Sequence, residues 1–216
     1  MKVEIWSDVV CPFCYIGKRK FEAALEQFES DDEVEIEYKS FQLSPNTETN
    51  PNISTHEALA NHKGISVEQA KQMGDQVTQV AAAVGLNFDY ENAVVANTFN
   101  AHRLLYFAKI HGKQNELKER LLKAYFVQGE NIDDSATLLK IAEEVGLDAS
   151  QAGDLIASDE LAMEVKADIQ EAQSLSIHGV PFFVFNRKHG VSGAQDPTVF
   201  LQTLEKVKQE QISATE

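Results

Sequence analysis

The sequence predicts an α/β fold in which the two ends of the chain share one sheet and the middle is helical. Three observations predict it. Strand, helix and strand patterns follow one another within about the first forty residues. Helical periodicity then continues for roughly a hundred residues. The end of the chain returns to helix, strand, strand and helix. Neither end carries enough strands for a stable sheet by itself, so the two must meet.

Each element can be justified in order. Val3 and Ile5, followed by Val9 and Val10, read as one short buried strand. From Pro12 to Phe28 the pattern is helical, with Phe21, Ala24, Leu25 and Phe28 on one face and Asp31-Asp32 breaking the run. Val34, Ile36 and Tyr38 alternate with charged residues up to Phe41, a second strand, and the crossover length suits parallel pairing. A polar loop, Ser44 to Asn52, leads into the helical stretch. There Ser54 with Glu57, and Ser66 with Gln69, have capping-box spacing. Gly64, Gly85, Gly112 and Gly146 stand where helix C-terminal caps would. Ala101, Leu104, Leu105 and Ala108 form one apolar stripe, and Leu121, Leu122 and Tyr125 another. The last long helix of the block starts after Ser158 and carries Leu161, Val165, Ile169 and Ala172. "VPFFVFN", Val180 to Asn186, is a strand, "RKHG" is turn chemistry, and "VSG" begins a return strand. Asp196 and Pro197 read as N-cap and first-turn proline of a final helix bearing Val199, Leu201, Leu204 and Val207, with 211–216 frayed. The expected division is 1–52 and 158–216 as two parts of one core, and 53–157 as an all-helical insertion.

The chain contains two cysteines, Cys11 and Cys14, three residues apart around Pro12. Proline disfavours α conformation in the residue before it, which puts Cys11 at the N-cap. Pro12 suits the first helical position and Cys14 falls in the first turn. Positions i and i+3 on a helix bring Cβ atoms within ~5–6 Å, near enough for a disulfide that opens and closes. The helix N-terminus carries about half a positive charge and unpaired N–H groups, which favour thiolate. Cys11, the outer residue, is the expected nucleophile and Cys14 the resolving thiol. Plainer alternatives are a pair of buried small hydrophobes or a zinc site. Zinc needs about four ligands, and His56, His62, His102, His111, His178 and His189 show no paired ligand spacing, so no metal is expected. A second signal is Val180-Pro181, where helix passes to strand. Either a cis bond or a strand-initiating trans proline fits there.

Composition bounds the rest. With 216 residues the chain can bury a core without disulfide staples. A net charge of −15 repels phosphate backbones and anionic lipid, so neither nucleic acid nor a membrane is an expected partner. The start, Met1 to Asp8, lacks the apolar core of a secretory signal, and no run approaches a membrane span. The expectation is a cytoplasmic protein, where two close cysteines are more often catalytic, redox-sensing or metal-binding than structural.

"SDVVCPFCYIGK", "NTFNAHRL", "GVPFFVFN" and "SGAQ" occur in family order. Together they resemble the DsbA-like thioredoxin-fold oxidoreductases, more narrowly the FrnE-type branch related to 2-hydroxychromene-2-carboxylate isomerases and kappa-class glutathione transferases. The resemblance implies a thioredoxin fold, Cys11 and Cys14 as the redox pair, and no bound cofactor. It implies Pro12, Phe13, Val180, Pro181 and Gln195 as the residues that meet substrate, with Val180-Pro181 as the family's cis-proline segment. It leaves Asn97 as a candidate helix cap and His102 as a candidate interior histidine. The implied function is a protein disulfide oxidoreductase acting on protein thiols and disulfides or on small thiols such as glutathione. Alternatives are a glutathione-dependent isomerase or transferase, whose relatives carry serine where Cys11 stands, and a non-redox chaperone-like binding protein. Oligomeric state is not legible. Phe13 offers no imidazole to a thiolate and Asp8 would oppose one, so the expected potential lies nearer ~−180 to −270 mV than the ~−120 mV of the strong oxidants.

Overall fold

The computed structural model describes residues 1–29 and 33–213. The Asp31-Asp32 helix break and the last three residues of the expected frayed tail lie outside the described residues. Strand β1 (Lys2–Ser7), helix α1 (Pro12–Leu25) and strand β2 (Glu35–Ser40) form the first unit. Helix α8 (Ala162–Ser174), strands β5 (Phe182–Phe185) and β6 (His189–Ser192) and helix α9 (Pro197–Ser213) form the last. The sheet order is β2-β1-β5-β6, with β1 parallel to β2 and antiparallel to β5. Both ends of the chain therefore build one sheet, as expected, in a thioredoxin fold with a helical insertion.

Alternation along β1 makes the two faces. Val3 and Ile5 join Phe183 and Phe185 beneath Phe21 of α1 and Phe200 of α9. Their rings interlock, with Phe183 and Phe200 centroids 4.6 Å apart. Trp6 and Val184 face the other way, against Ala172 of α8. Asn186 and Arg187, both at positive φ, make the tight turn between β5 and β6.

Between β2 and α8 lie α2 (Thr55–Lys63), α3 (Val67–Ala82), α4 (Phe99–Ile110), α5 (Gln114–Gln128), α6 (Ser135–Glu144) and α7 (Ala149–Ala157). Both capping boxes form, Ser54 with Glu57 and Ser66 with Gln69, and Gly64 closes α2 with φ of 66°. The two apolar stripes read from α4 and α5 are buried. This helical core also takes in Val9, Tyr15 and Ile16, so α1 serves it with one face and the sheet with the other.

The structure departs from the sequence reading at four places. Val9 and Val10 lie in a turn after β1, because the Asp8 side chain captures the Val9 N–H (2.8 Å) and ends the strand. Helix α1 stops at Leu25, three residues before Phe28. A short polar hairpin, β3 (Asn50–Ser54) with β4 (Val94–Val95), interrupts the helical stretch, and it has no alternating apolar pattern to announce it. Residues 211–213 continue α9 as helix.

Strand β2 is an edge of the sheet, and its outward backbone groups are covered by the helices. Gln114 at the start of α5 accepts from Tyr38 N–H (2.9 Å) and donates to Tyr38 C=O (2.8 Å). Asp168 of α8 accepts from Ser40 N–H (2.8 Å) and pairs with Lys39 (2.7 Å). Gln114→Leu removes the partners of both buried backbone groups of Tyr38 and is expected to cost about 2 kcal/mol, seen as a lower urea midpoint. An unchanged midpoint would show that water replaces the amide.

Candidate functional site

Cys11 is the N-cap of α1, with φ −88° and ψ 113°, and Pro12 is its first residue, as the cysteine–proline order predicts. Cys14 sits one turn in, and its N–H donates to Cys11 C=O at 3.0 Å. Both thiols are free in this structure. Both are also buried, at 4% and 3% exposure, so Cys11 is not the open residue the sequence reading expected. Phe13 is the exposed member of the motif, at 44%, with Pro12 half-buried beside it.

The Val180–Pro181 peptide bond is cis. Val180 C=O accepts a long hydrogen bond from Cys11 Sγ (3.5 Å), which brings that segment onto the motif. Gly17 of α1 packs against it from the other side. A Cβ at residue 17 would lie 2.9 Å from Pro181 Cγ and 3.5 Å from Ala194 Cβ. Pro181 C=O in turn accepts from Gly193 N–H at 2.8 Å. Gln195 is exposed, and its amide donates back to Ser192 C=O (2.7 Å).

Beneath the motif lies Asp8, 1% exposed. Its carboxylate accepts from Val9 N–H (2.8 Å), Leu43 N–H (2.8 Å) and His102 Nε2 (3.2 Å). An ionised carboxylate can only accept, so His102 carries the proton on Nε2. Burial opposes the charge on Asp8, yet the His102 and Leu43 hydrogen bonds outweigh it and hold the carboxyl below its usual range. His102 is thus an interior histidine with a partner. Asn97 stands one residue before Thr98, the N-cap of α4: its Oδ1 accepts from Phe99 N–H (2.9 Å) while its amide donates to Thr47 C=O (2.8 Å).

The two thiols titrate as a pair. The hydrogen bond with Cys14 raises Cys11 most, with burial and the Asp8 charge adding to it. Burial also opposes ionisation of Cys14, but the Cys11 thiol and the Lys118 ammonium together hold it below its ordinary value. Tyr38, fully buried near Cys14, is pushed well above its usual value by burial and stays neutral.

Sequence reasoning passed over Gly17, Ser7 and Lys118. Gly17 left a signal, being an isolated glycine inside a helical pattern. Ser7 and Lys118 left none.

Residues 2–205 match the family described as DSBA-like thioredoxin domain. A probable DsbA oxidoreductase from Streptomyces coelicolor is similar at 39% identity and TM-score 0.90, over 97% of this chain and 91% of that one. The Bacillus subtilis protein YwbO, described as uncharacterized, is 29% identical over 194 residues, 84% of this chain and 85% of its own. The cytosolic disulfide reductase DsbM from Pseudomonas aeruginosa, also solved with GSH, shares the fold at 15% identity and TM-score 0.64, over 100% of this chain and 98% of that one.

Two expectations follow from this geometry. Gly17→Ala gains helix propensity of about 1 kcal/mol but drives a methyl into Pro181, an overpacking cost of about 1–3 kcal/mol. The variant is expected to unfold at lower urea, and equal or greater stability would show that Pro181 gives way freely. Asp8 has a depressed folded-state pKa, so its stabilisation is complete above the unfolded value of about 3.9 and is lost as pH falls through the lower folded value. Between pH 5 and pH 3 the wild type should lose more unfolding free energy than Asp8→Asn. Parallel curves would refute the assignment.

Proposed function

The chain belongs to the DSBA-like thioredoxin domain family, and on that premise we propose that it is a thiol–disulfide oxidoreductase working through Cys11 and Cys14. The observation that carries the reading is the thiol pair itself: two free cysteines at one helix N-terminus, with Cys11 Sγ against the Val180 carbonyl. Cys11 is the residue at the helix start beside Val180, and it is the sulfur that exchanges with substrate. Cys11 reacts as the thiolate, its proton passing to solvent. The Cys11 thiolate then attacks a substrate disulfide, forming one S–S bond while the leaving sulfur departs with the electron pair and takes up a proton. Cys14, deprotonated in turn, attacks Cys11 Sγ. The mixed disulfide breaks, the substrate leaves as dithiol, and two electrons have passed from the pair to the substrate.

Phe13 and Pro12 supply the exposed surface around the pair, and the Val180 backbone supplies a strand-like edge to a bound peptide. Substrates are protein disulfides or small thiols such as glutathione. We place the chain in the FrnE-type branch and in a reducing compartment, where such a pair rests as the dithiol and acts as a reductase or isomerase. Cysteine at both positions supports this reading over a glutathione-dependent isomerase. Among the described residues no helix is long and apolar enough to cross a membrane.

Cys11→Ser should abolish glutathione-driven reduction of a protein disulfide. Cys14→Ser should instead accumulate mixed disulfides on Cys11, seen by mass spectrometry as adducts that reductant removes. Adducts on Cys14 in the Cys11→Ser chain, and none in the other, would reverse the two roles. Full activity without both cysteines would overturn the redox reading.

A further inference from the structure

Three consecutive cations follow the cysteine motif on α1, Lys18, Arg19 and Lys20. Two are tied to carboxylates: Lys18 pairs with Glu119 (3.0 Å) and Arg19 with Glu22 (2.8 Å). Lys20 is used differently. Its ammonium donates to the main-chain carbonyl of Ala194 (3.0 Å), 174 residues along the chain. Lys20 is half-buried, and the oxygen it holds belongs to the segment that joins β6 to α9. A cation on a carbonyl makes a stronger hydrogen bond than a neutral donor would.

That segment also backs the Val180–Pro181 bond. Strand β6 pairs with β5 so that Ser192 stands opposite Phe182. One residue on, Gly193 N–H donates to Pro181 C=O (2.8 Å) and carries the ladder onto the proline. Gly193 does so at φ 82°, where a side chain is disfavoured. Gln195 Nε2 closes the loop on Ser192 C=O (2.7 Å). Residues 192–195 thus form a strap between Pro181 and the start of α9. Helix α1 grips this strap from residues 17 and 20, which share a helix face. At residue 17 the missing side chain lets Ala194 Cβ and Pro181 Cγ come in, 3.5 and 2.9 Å from where a Cβ would stand. At residue 20 the ammonium holds Ala194 C=O. Gly17 permits the approach, and Lys20 supplies the attraction. Next to Pro181, Val180 C=O accepts from Cys11 Sγ (3.5 Å). The contacts therefore run from Lys20 through Ala194, Gly193, Pro181 and Val180 to Cys11, starting and ending at α1.

We propose that Lys20 is a positioning residue: by holding Ala194 C=O it fixes the strap, and through the strap the Val180 edge, at the distance from Cys11 that an extended peptide substrate requires. This rests on the redox reading above, with Val180 as its peptide-binding edge, and adds what keeps that edge in place. Lys20 acts through Ala194 and not on the sulfurs, so its loss leaves both thiols and their exchange chemistry intact. What loosens is the strap. A substrate backbone then meets Val180 in a broader range of positions, and fewer of them align its disulfide with Cys11. A disulfide without a peptide backbone makes no use of that edge and is indifferent to it. Lys20 thereby sets the preference for polypeptide disulfides over small ones.

The test uses the full chain in its reduced form, wild type against Lys20→Met and Lys20→Gln, with Lys20→Arg as the variant that keeps a cationic donor. Each protein is mixed with one of two disulfides: hydroxyethyl disulfide, or a short peptide joined to a second copy through its single cysteine. In either reaction Cys11 attacks one sulfur and the first substrate thiol leaves. Cys14 then closes on Cys11 and the second thiol leaves, so both substrates report the same exchange. Met and Gln are expected to slow reduction of the peptide disulfide about fivefold, the worth of one ordinary hydrogen bond, and that of hydroxyethyl disulfide by less than about twofold. Arg should recover most of the loss. In native-state hydrogen exchange the Gly193 amide should open faster in Met and Gln than in the wild type, with the amides of β1 unchanged. A merely structural lysine would lower the urea midpoint and leave the ratio of the two rates as it is in the wild type. An unchanged ratio in a folded Met or Gln variant overturns the proposal, and so does unchanged Gly193 exchange. A wild type that reduces neither disulfide would instead overturn the redox reading, while Gly193 exchange would still judge the strap.

Discussion

The structure turns on one buried carboxylate. Asp8 ends β1, and its three hydrogen bonds reach the turn before Cys11, the loop after β2 at Leu43, and α4 through His102. Those three pieces come from different parts of the chain and meet directly under the thiols. A carboxylate so deep is tolerable because every acceptor direction it uses is filled, and the local hydrogen bonds outweigh the loss of water. Its charge has a second effect. It adds to the hydrogen bond with Cys14 and to burial in raising Cys11, because a nearby negative charge opposes a thiolate.

Around that point the helical block and the sheet are joined by polar contacts as much as by apolar packing. Gln114 and Asp168 cover the outward backbone groups of the β2 edge. Glu119 ties α5 to α1 through Tyr15, Arg19 and Lys18. The apolar cores are consistent with this joining, since α1 gives Phe21 and Ala24 to the sheet core and Tyr15 and Ile16 to the helical one. The helix that carries the cysteines is therefore the common wall of both cores. Its position, and with it the contact of Gly17 with Pro181, is over-determined from both sides.

Net charge and local charge act at different ranges. A surface of −15 is mostly solvated and screened within about 10 Å. Inside, where the effective dielectric is low, a few groups decide the ionisation of the pair. Asp8 opposes a thiolate on Cys11, while Lys118 favours one on Cys14. Phe13 offers the thiols no imidazole, and the charged groups that bear on them come instead from Asp8 and from Lys118 of α5.

The sequence by itself determined the class of fold, the sharing of one sheet by both chain ends, and the position of the cysteines at a helix start. These follow from rules that act over a few residues: alternation in β1 and β2, the fixed φ of Pro12, caps at Ser54 and Ser66, and a period of 3.6 along α4 and α5. The polar hairpin of Asn50–Ser54 with Val94–Val95 escaped because its pairing is set by a distant partner and not by its own pattern. Burial of both thiols, the inward turn of Asp8 onto His102, and the approach of Lys118 were decided only in the tertiary structure. Lys118 lies about a hundred residues from Cys14, and on α5 it reads as one charge among many. Nothing in its neighbourhood along the chain separates it from Lys123, which is exposed. What separates them is the face of α5 that Gln114 presses against β2, and a helix face becomes an interior only when another element arrives to cover it.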